Sequence, residues 1–171
     1  LDPNPLVSGK GKAFLESQGI AVITGVLEKE VREINRHYNT YHEEQRPFVA
    51  LKQATTLDGK IALAGQRTRI TGEAALRRVR QERSDYQAIL IGSRTALIDN
   101  PTLRTEAAFP TYRVVLDRKG ETLKQQLTLF EDTSSPVLVF TTKKVQTVFS
   151  NHVKIITTPS LTLSFVMKEL Y

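Results

Sequence analysis

Four short apolar runs constrain this chain more than any other feature. Ala88-Ile89-Leu90-Ile91, Arg113-Val114-Val115-Leu116, Val137-Leu138-Val139-Phe140 and Val153-Lys154-Ile155-Ile156 are nearly continuous in aliphatic residues, with no strict polar alternation, and mark strands over residues 86–92, 112–117, 137–141 and 153–157. Strands of that kind are buried on both faces, and they belong to parallel sheets flanked by helices. The segments around them have helical character. Residues 73–84 put Ala75, Leu76 and Val79 on one stripe, with Thr71 as a candidate N-cap and Gly72-Glu73 opening the helix. Residues 95–98 form a brief helical turn stopped by Asp99-Asn100-Pro101, and residues 161–171 begin another helix. The pattern predicts an α/β fold with a mostly parallel central sheet and helices on both faces. In such sheets ligands bind beyond the carboxyl ends of the strands.

The chain ahead of this pattern is different. Asp2-Pro3-Asn4-Pro5 is a turn cluster, residues 10–18 suit a short helix closed by Gly19, and residues 20–23 read as a short strand. Residues 26–41 are strongly helical, with Leu27, Val31 and Ile34 on one face. A polar link ending at Pro47 follows, and a domain boundary is expected there: residues 1–45, then residues 46–171. After Pro47, residues 48–54 read as a strand. Leu57-Asp58-Gly59-Lys60 reads as a turn, and residues 61–64 as a short extended piece.

Bulk properties narrow the function classes. Forty per cent of the residues are hydrophobic and 25% charged, a globular balance, and no apolar run is long enough to span a bilayer. There is no cysteine, so disulfides and thiolate zinc sites are excluded. The net charge of +6 favours anionic partners, although a well-solvated basic surface accounts for it equally well. Leu1-Asp2-Pro3 has none of the marks of a signal peptide and reads as a cut inside a longer protein.

Local chemistry points to few groups. Gly92-Ser93-Arg94-Thr95 follows a strand and could hold a phosphate, but it lacks the phosphate-loop and dinucleotide glycine patterns and serves equally as a tight turn. Asp99-Asn100-Pro101 suits an Asx turn that ends a helix. Arginines are dense from Arg67 to Arg104; most read as surface charges, with one or two suited to a phosphate. His37, His42 and His152 have no metal-site spacing and read as surface residues. With no nucleophile elbow and no metal site, the chemistry would have to come from a cofactor.

Six blocks, taken together, carry a resemblance. They are Arg46-Pro47-Phe48-Val49-Ala50-Leu51-Lys52, Leu57-Asp58-Gly59-Lys60-Ile61-Ala62, Ile70-Thr71-Gly72-Glu73-Ala74-Ala75, Ala88-Ile89-Leu90-Ile91-Gly92-Ser93-Arg94-Thr95, Asp99-Asn100-Pro101-Thr102-Leu103 and Arg113-Val114-Val115-Leu116-Asp117. In order and spacing they resemble the reductase domain of the riboflavin-biosynthesis deaminase–reductase family. Asp2-Pro3-Asn4-Pro5, Gly9-Lys10-Gly11, Gly19-Ile20, Gly25-Val26-Leu27-Glu28 and Asn35 resemble the end of that family's deaminase domain.

The resemblance implies a dihydrofolate-reductase-like fold. It also implies NADPH-dependent reduction of 5-amino-6-(5-phosphoribosylamino)uracil to its ribitylamino product. It places Lys52 at the catalytic position and Ala54, Arg69, Thr95, Asp99 and Arg118 at NADP-contacting positions. Arg67, Arg83, Leu103 and Arg104 fall at or beside substrate-contacting positions. Three departures stand out. Arg67 or Thr68 occupies a position that usually holds a small hydroxyl residue, with a one-residue gap nearby, and Arg69 stands where the family usually has a tryptophan. Arg104-Thr105-Glu106 stands where the family has Thr-x-Arg, so the phosphate-binding arginine has moved to Arg104 or is lost. By resemblance the zinc motifs of the deaminase part lie upstream of Leu1 and a Glu-Gly-Gly loop lies beyond Tyr171. The chain is therefore expected to be truncated at its C-terminus and to bind no metal. A phosphorylated pyrimidine substrate, a homodimer and a cytoplasmic location follow from the family, with neither nucleic acid nor membrane as partner. Two other readings stay open: an inactive or differently specific reductase paralogue on the same fold, and a basic nucleic-acid-binding module.

Overall fold

The four apolar runs form one sheet in the computed structural model, which describes residues 1–146 and 148–171. The strands are β1 (Ala88–Gly92), β2 (Tyr112–Leu116), β3 (Val137–Thr141) and β4 (Val153–Thr157). They lie side by side in sequence order, every neighbouring pair parallel. Right-handed crossovers that all advance in one direction place their connections on one face of a sheet. Here that face carries the odd-numbered residues Ile91, Val115, Val137, Val139, Val153 and Ile155. They pack against Ala96 of α5 (Ser93–Asp99), Leu123 of a 3-10 turn (Thr122–Lys124), Leu127, and Leu129 and Phe130 of α6 (Thr128–Glu131). Phe149 closes one side, its ring 5.2 Å from that of Phe130. Val114 and Phe140, on the even-numbered face, are also fully buried. Both faces of the central strands are thus covered, as nearly continuous apolar runs require.

This core should be sensitive to truncation. Leu129 is fully buried within it. Leu129→Ala is expected to cost about 2–5 kcal/mol, measured as a lower urea midpoint with unchanged slope. A loss below about 1 kcal/mol would mean that the site collapses around the cavity, or that α6 does not pack as described.

Two compact units are present: Lys52–Leu161, which contains the sheet, and Leu1–Leu51 together with Thr162–Tyr171. In the second, α1 (Lys10–Ser17) ends as its glycine predicts. Gly19 takes φ 77°, and Gly19 N–H and Ile20 N–H donate to Glu16 O and Leu15 O at 3.0 and 3.1 Å, a Schellman closure. The long helix expected over residues 26–41 is two helices, α2 (Glu28–Ile34) and α3 (Arg36–Glu44). The break is at Asn35, whose side-chain amide donates to Val31 O at 3.1 Å and so competes for a helix carbonyl. Arg32 bridges the two helices with a bidentate pair to Glu43 at 3.0 and 2.7 Å. The last helix, α7 (Leu163–Glu169), is capped by Thr162, whose hydroxyl accepts from Phe165 N–H at 3.2 Å.

Other expectations need correction. Residues 48–54 and 20–23 are not strands, and residues 61–64 pair with nothing. A strand is held by its ladder, and these segments have no neighbour to bond with among the described residues. Leu51 accordingly stays 87% exposed. The helix after Thr71, α4 (Glu73–Arg83), is capped by the backbone of Gly72 rather than by the threonine side chain. The 3-10 turn and α6 were not expected at all. The turn at residues 57–60 forms as expected, with Gly59 at φ 76° and Thr56 N–H donating to Lys60 O at 2.9 Å.

Candidate functional site

Parallel register brings the carboxyl ends of all four strands to one rim. Gly92, Leu116, Phe140 and Ile156 stand abreast, so the chain leaves the sheet at Ser93, Asp117, Thr141 and Thr157. Asp117 organises this rim. It is fully buried, and its Oδ2 accepts from Thr122 N–H at 2.7 Å and from the Thr122 hydroxyl at 2.6 Å. Its own N–H donates to Phe140 O at 2.9 Å. The turn closes through Gly120 at φ 69°, whose N–H donates to Asp117 O at 3.1 Å; a Cβ there would lie 3.4 Å from that of Lys143. Arg118, between them, is fixed by its backbone: its carbonyl accepts from the Thr142 hydroxyl at 2.8 Å and from Thr142 N–H at 3.3 Å. Its guanidinium is exposed and donates to Leu161 O at 3.3 Å. Thr158 N–H donating to Thr141 O at 2.9 Å extends the network to β4.

Helix α5 starts at the same rim. Thr95 and Asp99 are four residues apart and so share one helix face; Thr95 is exposed and Asp99 half-buried. Asn100 ends the helix in the left-handed region at φ 40°, and its Oδ1 accepts from Thr128 N–H at 2.9 Å. Of the sequence-selected residues, Thr95 in the first turn of α5 and Arg118 directly after Asp117 lie at this rim, while Asp99 is the last residue of α5, a full turn further on. Thr95 and Arg118 offer a hydroxyl and a guanidinium there, groups suited to sugar hydroxyls and phosphate oxygens. Sequence reasoning missed Asp117 as the residue that shapes this turn. The available signal was a carboxylate directly after an apolar strand and three residues before a glycine.

A second group sits at the other end of the strands. Arg113, the second residue of β2 and about 13 Å from Asp117 along an extended strand, is fully buried. It donates to Thr102 O at 3.4 Å, to Asp132 O at 2.5 Å and to Ser135 O, and its Nη1 lies 3.2 Å from Asp132 Oδ2. Arg104 donates through Nε to the same oxygen at 2.8 Å. The hydrogen bond from Arg104 holds the Asp132 carboxyl well below the usual carboxylate range, against the opposing effect of burial. Leu103 is buried at φ 53°. Arg83, at the end of α4, is half-buried, and burial, then Arg80, pulls its guanidinium below the ordinary arginine value. The Glu106 N–H donates to the Ser84 hydroxyl at 3.2 Å, which joins the Arg104 loop to the end of α4. The structure therefore groups Arg83, Leu103 and Arg104, apart from the rim residues.

Lys52, Ala54, Arg67 and Arg69 lie in the unpaired segment before α4. Lys52 and Arg67 are exposed and Ala54 is half-buried. Hydrogen bonds here are local: Leu63 N–H to the Thr68 hydroxyl at 2.9 Å, and Arg69 to Thr71 O at 3.3 Å and to Glu73 at 2.5 Å. Arg69 is thus committed to an exposed i,i+4 pair. The fold brings these four residues to neither of the other groups by any such bond. A concavity of about 570 Å³ lies elsewhere, between α2 and α3. It is lined by Glu28, Arg32, Arg36 and Glu43 among others and contains none of the candidates. Among the described residues no cluster could hold a metal ion. His152 corrects a surface assignment: it is half-buried, with Nδ1 2.7 Å from the Ser150 hydroxyl. No helix among the described residues is long and apolar enough to cross a membrane.

Comparison with known proteins decides the family. The model of the RibD C-terminal domain matches residues 47–171. The chain belongs to the RibD C-terminal domain family. Over 144 residues it is 40% identical to the riboflavin biosynthesis protein RibD of Bacillus amyloliquefaciens, covering 82% of this chain and 38% of that protein. The RibD of Aquifex aeolicus is 35% identical over 178 aligned positions, covering 99% of this chain and 49% of the relative. Among solved structures, one from Thermotoga maritima is described as a diaminohydroxyphosphoribosylaminopyrimidine deaminase/5-amino-6-(5-phosphoribosylamino)uracil reductase. It superposes with a TM-score of 0.84 at 38% identity, over 99% of this chain and 48% of its own. This RibD-family chain thus spans about half the length, or less, of the relatives it matches. Its sheet is that of the RibD reductase domain, and the dihydrofolate-reductase-like fold class follows.

Proposed function

We propose that this chain is part of an NADPH-dependent 5-amino-6-(5-phosphoribosylamino)uracil reductase that converts the ribosyl group to a ribityl group in riboflavin biosynthesis. The observation that carries the reading is the family match across residues 47–171. It is supported by the strand-end rim, where Thr95 and Arg118 supply a hydroxyl and a guanidinium suited to a phosphorylated dinucleotide, with Asp99 one helical turn from Thr95. NADPH, when bound, supplies the hydride, and the protein's part is to hold its ring against the sugar carbon. Arg118 meets phosphate charge, Asp99 and Thr95 accept from or donate to ribose hydroxyls, and Ala54 and Arg69 flank the ring. Arg83 and Arg104 hold the substrate's phosphate end, with Leu103 and Arg67 against the remainder. Lys52 donates a proton to the ring oxygen as the sugar opens.

The same reading assigns residues 1–45 to the end of a deaminase-like domain with its linker and residues 46–171 to the N-terminal part of the reductase domain. The start of the family match at residue 47 supports that division. A homodimer in the cytoplasm completes the proposal. Its test is steady-state oxidation of NADPH by the protein that carries this chain, with the aminouracil ribosyl phosphate as acceptor. Asp99→Asn is expected to raise KM for NADPH about tenfold, the loss of roughly one charge-assisted hydrogen bond, with KM for the acceptor within about twofold. No acceptor-dependent oxidation by the parent protein would remove the reading.

A further inference from the structure

We propose that Asp132 is a positioning residue that pins Arg104 by its Nε edge and leaves the outer fork of that guanidinium free for a phosphate monoester. This deepens the reductase reading and rests on it for the identity of the ligand, a ribosyl phosphate. The geometry begins with a carboxylate that cannot swing. Asp132 is 7% exposed in its side chain. Oδ1 accepts from Ser134 N–H at 3.0 Å, and Oδ2 is held by Arg113, which is itself locked by three carbonyls at the start of β2. Arg104 is bound to this fixed point through Nε alone, at 2.8 Å, and its side chain is 66% exposed. Neither Nη1 nor Nη2 is hydrogen-bonded to a described residue. A planar guanidinium held at one edge presents the other two nitrogens in the fork that matches two phosphate oxygens.

Charge favours the same ligand. Two guanidinium groups share one carboxylate, which leaves a positive excess at this pair. Arg83 is half-buried, has no carboxylate within ion-pair distance among the described residues, and is joined to the Arg104 loop through Ser84 and Glu106. A partly desolvated cation without a counter-charge is stabilised by a bound anion. The competing account is that Asp132 serves only to neutralise Arg113, in which case its loss would lower stability and leave ligand recognition alone.

Ribose 5-phosphate is a probe that separates the two accounts, with affinity measured by titration calorimetry on the protein that carries this chain. Asp132→Asn and Arg104→Lys are each expected to weaken binding about tenfold, because charge without a held fork does not give bidentate contact. In an Arg104→Gln background, Asp132→Asn should add less than about twofold. KM for the aminouracil ribosyl phosphate should rise in step, with kcat and KM for NADPH within about twofold. Parental affinity in Arg104→Lys overturns the proposal. So does an equal effect of Asp132→Asn in both backgrounds, or a parent protein that does not bind the probe. If Asp132→Asn fails to fold, Arg104→Lys decides alone. Failure of the reductase reading shows separately, as absent NADPH turnover in the parent, whereas probe affinity judges the Asp132–Arg104 pair.

Discussion

Lys52→Ala should lower kcat about 10²–10⁴-fold, the range for removing a proton donor from a transition state, while KM for NADPH stays within about twofold. Lys52 is exposed, and its side chain has no hydrogen bond or ion pair among the described residues that would make its removal structural. Truncation of such a surface side chain is worth less than about 0.5 kcal/mol in stability, so a loss of rate cannot be attributed to unfolding. If the ammonium delivers a proton as the sugar ring opens, Lys52→Arg should not restore the rate, because a guanidinium keeps its proton. A kinetic comparison of the parent with both variants at saturating NADPH checks this. Full rate in Lys52→Ala would move the proton donor elsewhere, and restoration by arginine would reduce the role of Lys52 to that of a fixed charge.

Arg113→Leu is expected to destabilise the protein by about 3–5 kcal/mol, the cost of breaking a buried ion pair from one side. The substitution removes the buried partner of Asp132, which keeps only Arg104 and Ser134, and leaves the carbonyls of Thr102, Asp132 and Ser135 without the guanidinium that donates to them. Arg104→Gln removes the other guanidinium from the same carboxylate, yet that side chain is largely exposed, and the loss should stay below about 1 kcal/mol. Urea denaturation of the two variants measures the contrast. Equal effects would show that the carboxylate does not distinguish its buried partner from its exposed one. The pair also sets an acid limit. The Asp132 carboxyl has a lower pKa folded than unfolded. Its contribution is therefore complete above the unfolded carboxylate value, about 4, and is lost as pH falls below that toward the folded value. Stability of the parent should fall through this window more steeply than that of Asp132→Asn.

The sheet was legible in the sequence because its signal is local. Val137–Thr141 and Val153–Thr157 announce themselves by composition, and their bounds agree with the structure. Residues 48–54 also begin with an apolar run, Phe48 to Leu51, and make no strand, because a ladder depends on a neighbour that no window of sequence contains. Asn35 divides a helix that periodicity treats as continuous, since its amide competes for a carbonyl only once the turn has formed. An apolar stripe of Leu27, Val31 and Ile34 does not report that competition. Thr95, Asp99 and Arg118 were selected by resemblance, and parallel register explains only why Thr95 and Arg118 follow strand ends on one rim. Asp117 and Asp132 were not selected. Each acts on a residue distant in sequence or through a backbone group, and a carboxylate in a loop has no spacing that reveals such a partner. His152 looked like a surface residue because nothing near it in sequence predicts its partial burial.

The central claim is that the protein moves a hydride from a reduced nicotinamide to the sugar carbon of the aminouracil ribosyl phosphate. NADPH labelled with deuterium at the transferable C4 position, followed by mass analysis of the product, tests it directly. The account predicts one deuterium per product molecule, located at C1′ of the ribityl chain. Consumption of the acceptor with no label in the product, or label at any other carbon, would contradict it.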